Sequence, residues 1–143
     1  MLIALLAAGA CRNDASIAEP AYAYAVATDD CAPFGGPAVR ITLANAPVQL
    51  DQAPPPYLSI YLWVSGTQAE EQRIDIGGTT GKGSVQFCPA SGECTEATGG
   101  MVRFSHPMAD TVLRGEYVAG FPDGTRQTGR FHASWQGRTL ICF

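Results

Sequence analysis

The sequence predicts an all-β protein: a single antiparallel β-sandwich or small barrel of about 7–8 strands, stapled by two disulfides. Three observations predict it. Sixteen glycines and ten prolines punctuate the 143 residues at short intervals, as strand-and-turn proteins require. Apolar and polar residues alternate in several short runs, and no run shows the 3.6-residue apolar period of a helix. Five cysteines divide into one plus four, and the even remainder suits two bridges.

Taken in order, Tyr22–Ala27 reads as the first strand, with Tyr22, Tyr24 and Val26 on one face. Asp29 and Asp30 read as a solvated acidic pair in a loop, as do Glu70 and Glu71. Val39, Ile41 and Leu43 alternate with Arg40 and Thr42, the pattern of a half-buried strand. Pro47 to Pro56 carries four prolines and reads as a loop. Tyr57 to Val64 is the strongest strand pattern. Leu58, Ile60, Leu62 and Val64 line one face, and Tyr57, Ser59, Tyr61 and Trp63 the other. Ile74–Ile76 and Val85–Cys88 read as short strands joined by a glycine-rich hairpin turn. That turn, Gly77 to Ser84, is not a phosphate-binding loop. Ile76 and Gly83 stand where glycine and Ser/Thr are needed, and a strand follows where a helix N-terminus should be. Met101–Phe104 follows, then the pair 111–121 and 125–135.

The register of this last pair can be derived. A two-residue turn at Asp123-Gly124 would put Glu116 on the face of Phe131 and set Tyr117 against Arg130. A three-residue loop, Pro122-Asp123-Gly124, gives Leu113–Ala133, Gly115–Phe131 and Tyr117–Gly129 on one face. Glu116–Arg130 and Arg114–His132 then fall on the other. Only the second register keeps one face apolar, because a one-residue slip turns every side chain over. It also lays each aromatic ring over a glycine, and Pro122 and Gly124 suit a type I turn closed by a left-handed residue.

Cys88 and Cys94 are separated by Pro-Ala-Ser-Gly-Glu, a turn that brings them within bridging reach. Cys31 and Cys142 stand near the two ends of the domain, so the expected pairs are 88–94 and 31–142. Neither zinc spacing nor a C-x-x-C redox motif is present. Disulfides require an oxidising compartment. Residues 1–10 form an apolar stretch of signal-peptide length, too short for a bilayer, which needs roughly 20. Ala8-Gly9-Ala10-Cys11 resembles the lipobox of bacterial lipoproteins. The resemblance implies cleavage before Cys11, acylation of Cys11, and a membrane anchor in the cell envelope. Arg12 in place of the Asp that marks inner-membrane retention implies an outer-membrane protein facing the periplasm. The same residues also fit the A-x-A site of an ordinary secretory signal. The organisation read from this is a signal peptide at 1–10, a lipidated Cys11 with a polar tether at 11–20, and a β domain at 21–143.

A net charge of −4 argues against nucleic acid as a partner. No cofactor and no metal is expected. His106 and His132 are the only histidines, and Arg114 beside His132 discourages a bound cation. No serine stands in a nucleophile-elbow context. Only a pocket in which His132 meets carboxylates would point to a hydrolase or metalloenzyme. The aromatic row Tyr57, Tyr61 and Trp63 is expected to pack under a loop such as 47–56, and is otherwise the candidate binding face for a protein or glycan. The expected function is therefore that of a non-enzymatic exported, lipid-anchored envelope protein with a binding or structural role. The alternative is an inhibitor of a secreted hydrolase that presents the Cys88–Cys94 loop.

Overall fold

A computed structural model describes residues 22–49, 52–64, 73–105, 112–137 and 140–143. The expected signal segment, Cys11 and the tether lie outside the described residues, as do Glu70, Glu71 and His106. The described residues contain no helix. They form β1 (Tyr24–Cys31), β2 (Pro37–Ala44), β3 (Tyr57–Leu62), β4 (Arg73–Ile76), β5 (Gly83–Cys88), β6 (Thr95–Glu96), β7 (Gly99–Phe104), β8 (Val112–Gly120) and β9 (Arg126–Gln136).

All nine strands belong to one sheet, ordered β4-β7-β8-β9-β1-β2-β3-β5-β6. The sheet curls into a half-barrel, so the sandwich is corrected to a single bent layer. The inward positions explain the curl. Large side chains such as Phe104, Tyr117 and Phe131 alternate with Gly83, Gly115, Gly129, Ala119 and Ala133, which lets the strands close tightly on one core. The count of 7–8 strands is also corrected. The added strand, β6, has two residues, too few for any alternation to be visible. Pairing is antiparallel except between β1 and β9, which run parallel through Val26–Ser134, Ala27–Trp135 and Thr28–Gln136. Hydrogen bonds draw the flanks of the sheet together. Gly77 N–H donates to Gly83 O (3.2 Å), Lys82 N–H to Asp75 O (2.9 Å) and Thr98 N–H to Gly120 O (2.8 Å). Phe87 meets Phe121 edge to face at 6.3 Å. The glycine-rich segment after β4 is thus a turn, but its two strands part: β4 pairs with β7, and β5 with β3.

The β8–β9 hairpin has the derived register throughout, including Gly115–Phe131, Glu116–Arg130 and Tyr117–Gly129. Gly124 N–H donates to Phe121 O at 3.0 Å, and Gly124 has φ +84°, the left-handed conformation the loop requires. A Cβ on Gly115 would lie 2.6 Å from Phe131 Cζ, so the ring occupies the space that a side chain would fill.

Two expectations about the first strand fail. The strand begins at Tyr24, so Tyr22 escapes its alternation and packs against the main core, while Val26 faces outward. Asp29 and Asp30 lie inside β1, because the β1–β2 ladder continues to Cys31–Pro37. Asp30 is held there by Arg40 Nε at 2.7 Å and by the Cys31 N–H at 2.8 Å.

Both disulfides join the expected cysteines. Cys31 and Cys142 have Cα atoms 5.4 Å apart, and Cys88 and Cys94 4.1 Å apart.

Candidate functional site

The aromatic row lies on the outward face of β3 and just past its end, and the structure gives each ring neighbours. Tyr57 is half-buried beside Val26, Ala44, Val48 and Ala53, so the proline-rich loop does cover this end of the row. The Tyr61 ring lies under the Arg40 guanidinium at 4.5 Å, and its hydroxyl donates to Cys31 O. Arg40 also reaches Ser59 Oγ at 3.3 Å. Burial and the Asp30 carboxylate raise the Tyr61 phenol above its ordinary pKa, with Arg40 pulling the other way. Trp63 meets Tyr61 edge to face at 6.4 Å. Its indole N–H is buried without a hydrogen-bond partner among the described residues. This row is a packed seam that ties β1, β2 and β3 to the Cys31–Cys142 bridge.

A different surface lies open. Antiparallel pairing places Arg73, Arg103, Glu116 and Arg130 in one line across β4, β7, β8 and β9. Arg114 and His132 form a second line beside it. Arg103, Ser105, Gly115, Glu116, Arg130 and His132 line a shallow depression of about 330 Å³. Glu116 is engaged by Arg103 at 4.0 Å. The hairpin register derived from sequence contains four of these residues. It missed Arg73 and Arg103, whose strands carry no signal of which neighbour they pair with.

This depression brings His132 near a carboxylate, the arrangement that would speak for catalysis. Glu116 and His132 stand diagonally across the ladder, where Cα atoms are about 7–8 Å apart. No hydrogen bond joins Ser105, His132 and Glu116 among the described residues, so no nucleophile–base pair is formed. No group of three or more His, Cys, Asp and Glu able to hold a metal ion occurs among the described residues. Elsewhere on the surface, residues 90–94 of the Cys88–Cys94 loop are exposed. Phe34, Ile141 and Phe143 project at the Cys31–Cys142 end. No helix among the described residues is long and apolar enough to cross a membrane.

The sequence matches no protein-family model, and no curated protein or solved structure is significantly similar to it.

Proposed function

We propose that this chain is an exported, lipid-anchored domain of a bacterial cell envelope that binds a partner without transforming it. The partition of the cysteines carries the reading. Four are joined in two bridges, which need an oxidising compartment. The fifth, Cys11, stands directly behind an apolar run and small residues, where a lipid would be attached. A rigid, curled sheet on a polar tether suits display of a surface away from a membrane. The site is proposed to act by binding because its one carboxylate, Glu116, is engaged by Arg103 rather than poised beside His132.

Intact mass of the membrane fraction tests this. The expected species begins at Cys11 and carries acyl chains, and Cys11→Ser moves the protein to the soluble fraction. An unmodified N-terminus, or a Cys11→Ser protein distributed as the wild type, overturns the reading.

The exposure of residues 90–94, held by a bridge at their base, favours one alternative. In it, the loop inhibits a secreted hydrolase. Loss of a hydrolase's activity on adding the protein, restored by Cys88→Ser/Cys94→Ser, would select that reading.

A further inference from the structure

Positive charge is concentrated on one face of a chain whose net charge is −4. Of its eight arginines, five stand on the outward face of β4, β7, β8 and β9: Arg73, Arg103, Arg114, Arg126 and Arg130. The other described arginine, Arg40, is occupied by Asp30. We propose that this face binds an anionic glycan, a polysaccharide whose repeating units carry negatively charged groups. The proposal rests on the reading of the chain as an envelope binding domain and names the partner class.

The geometry suits an extended polyanion. Strands stand about 4.8 Å apart, so the line from Arg73 to Arg130 crosses roughly 14 Å of sheet at right angles to the strands. The second line, Arg114 with His132, runs alongside, and the depression lies between them. A guanidinium offers a planar fork of donors that matches a carboxylate or phosphate. These forks are available. The Arg103–Glu116 contact is long, and the two side chains keep 57% and 43% of their exposure. Arg114 and Arg130 make no ion pair among the described residues. Arg73 shares its Asp75 partner with solvent.

Other partners fit less well. Of the exposed large apolar side chains, Phe34, Leu140, Ile141 and Phe143 belong to the segments around the Cys31–Cys142 bridge, and Tyr24 alone borders this face, two residues before the Val26–Ser134 pair; one ring is too little apolar surface to hold a bilayer. The net charge of −4 disfavours nucleic acid, whose dense backbone charge would be repelled by the rest of the chain. A polyanion crossing several strands also gains more from a row of charges than a single small anion would.

The test uses the full-length Cys11→Ser protein, so that no lipid contributes. It is titrated with polygalacturonate, with neutral dextran, and with phosphatidylglycerol vesicles. Polygalacturonate should bind, dextran should not, and the affinity should fall as salt is added. Arg103→Gln with Arg130→Gln should weaken binding at least about tenfold. Glu116→Gln should strengthen it, about two- to fivefold, because Arg103 loses a competitor and a repelling charge leaves the face. Lys82→Gln and Asp123→Asn, which lie off this face, should change nothing, so the gain at Glu116 cannot be an effect of net charge. The proposal is overturned if dextran binds equally or if the double arginine variant binds as wild type. It is also overturned if vesicles bind through the same arginines while polygalacturonate does not. An unacylated Cys11 together with polygalacturonate binding would remove the lipid anchor alone. Acylation without glycan binding would remove this surface alone.

Discussion

The outer surface of the half-barrel is treated in opposite ways on its two flanks. On β1, β2 and β3 most outward residues are buried or half-buried: Val26, Thr28, Ala38, Thr42, Ala44 and Ser59 are buried, and Arg40, Tyr57 and Tyr61 half-buried. In β2, Ala38, Thr42 and Ala44 are as hidden as Val39, Ile41 and Leu43, and over Ala44 the cover is supplied by Val48 and Ala53 of the loop that follows. On β8 the alternation stays plain, with Leu113, Gly115, Tyr117 and Ala119 inside and Arg114 exposed. One flank therefore gains stability from both faces of its strands. The other gains it from one face and leaves the second to meet solvent or a partner. The lesson is that the aromatic row, the more conspicuous feature in sequence, belongs to the structural flank, and the plain polar strands carry the open surface.

The two flanks meet where β1 runs parallel to β9, and this pairing has only three registered positions. The Cys31–Cys142 bridge continues that seam and encloses a separation of 111 residues, against 6 for Cys88–Cys94. Replacing both cysteines of the long bridge by serine should cost about 5 kcal/mol, and of the short bridge about 2 kcal/mol, on loop-entropy grounds. Denaturant midpoints of the two double variants decide the order. Equal losses would mean that the seam holds without its bridge and that the flanks are one continuous unit.

A smaller effect distinguishes the two outer faces directly. Trp63→Ala on the covered flank should cost about 3 kcal/mol, since it removes a half-buried ring packed against Tyr61. Thr128→Ala, exposed on the open flank, should stay within about 0.5 kcal/mol of wild type. Thermal unfolding of Trp63→Ala at the wild-type midpoint would reverse the assignment and return the aromatic row to the role of binding surface.

The same contrast explains what the sequence made legible. The β8–β9 hairpin could be derived to the residue because its information is local: Pro122 and Gly124 fix the turn, and a half-buried strand writes its register in alternating side chains. The grouping of Tyr57, Tyr61 and Trp63 on one face was legible for the same reason. The loop 47–56 could be named as their cover, but the contacts it makes through Val48 and Ala53 could not, since they are tertiary contacts of a segment without periodic pattern. The pairing of β4 with β7, and of β1 with β9, joins segments distant in sequence and leaves no mark in either. Arg73 and Arg103 could therefore not be placed beside Glu116 and Arg130. Asp29 and Asp30 looked like loop residues because acidic side chains are rare in strands. For Asp30, the cross-strand Arg40 supplies the partner that makes the strand compatible with it.

The interior of the open flank holds the smallest expected effect. The Tyr117 side chain is 2% exposed, and its hydroxyl has no hydrogen-bond partner among the described residues. A Cβ on Gly129 would lie 3.0 Å from that oxygen, so the ring lies flat over the glycine backbone. Burial raises the Tyr117 pKa far above its ordinary 10.0, and the nearby Tyr22 phenol adds to the shift. In the unfolded chain the phenol ionises near that ordinary value. Above it, the unfolded state releases a proton that the folded state retains, so stability is full below pH 10 and falls as pH rises past it. Tyr117→Phe removes both the isolated hydroxyl and this proton. It should stabilise the protein at neutral pH by up to about 1 kcal/mol and flatten the alkaline decline in its unfolding midpoint. Tyr24→Phe, at an exposed ring, is the matched control and should do neither. If Tyr117→Phe destabilises the chain and leaves the alkaline slope unchanged, the hydroxyl has a partner. The core of the open flank would then be held by a polar contact as well as by its apolar face.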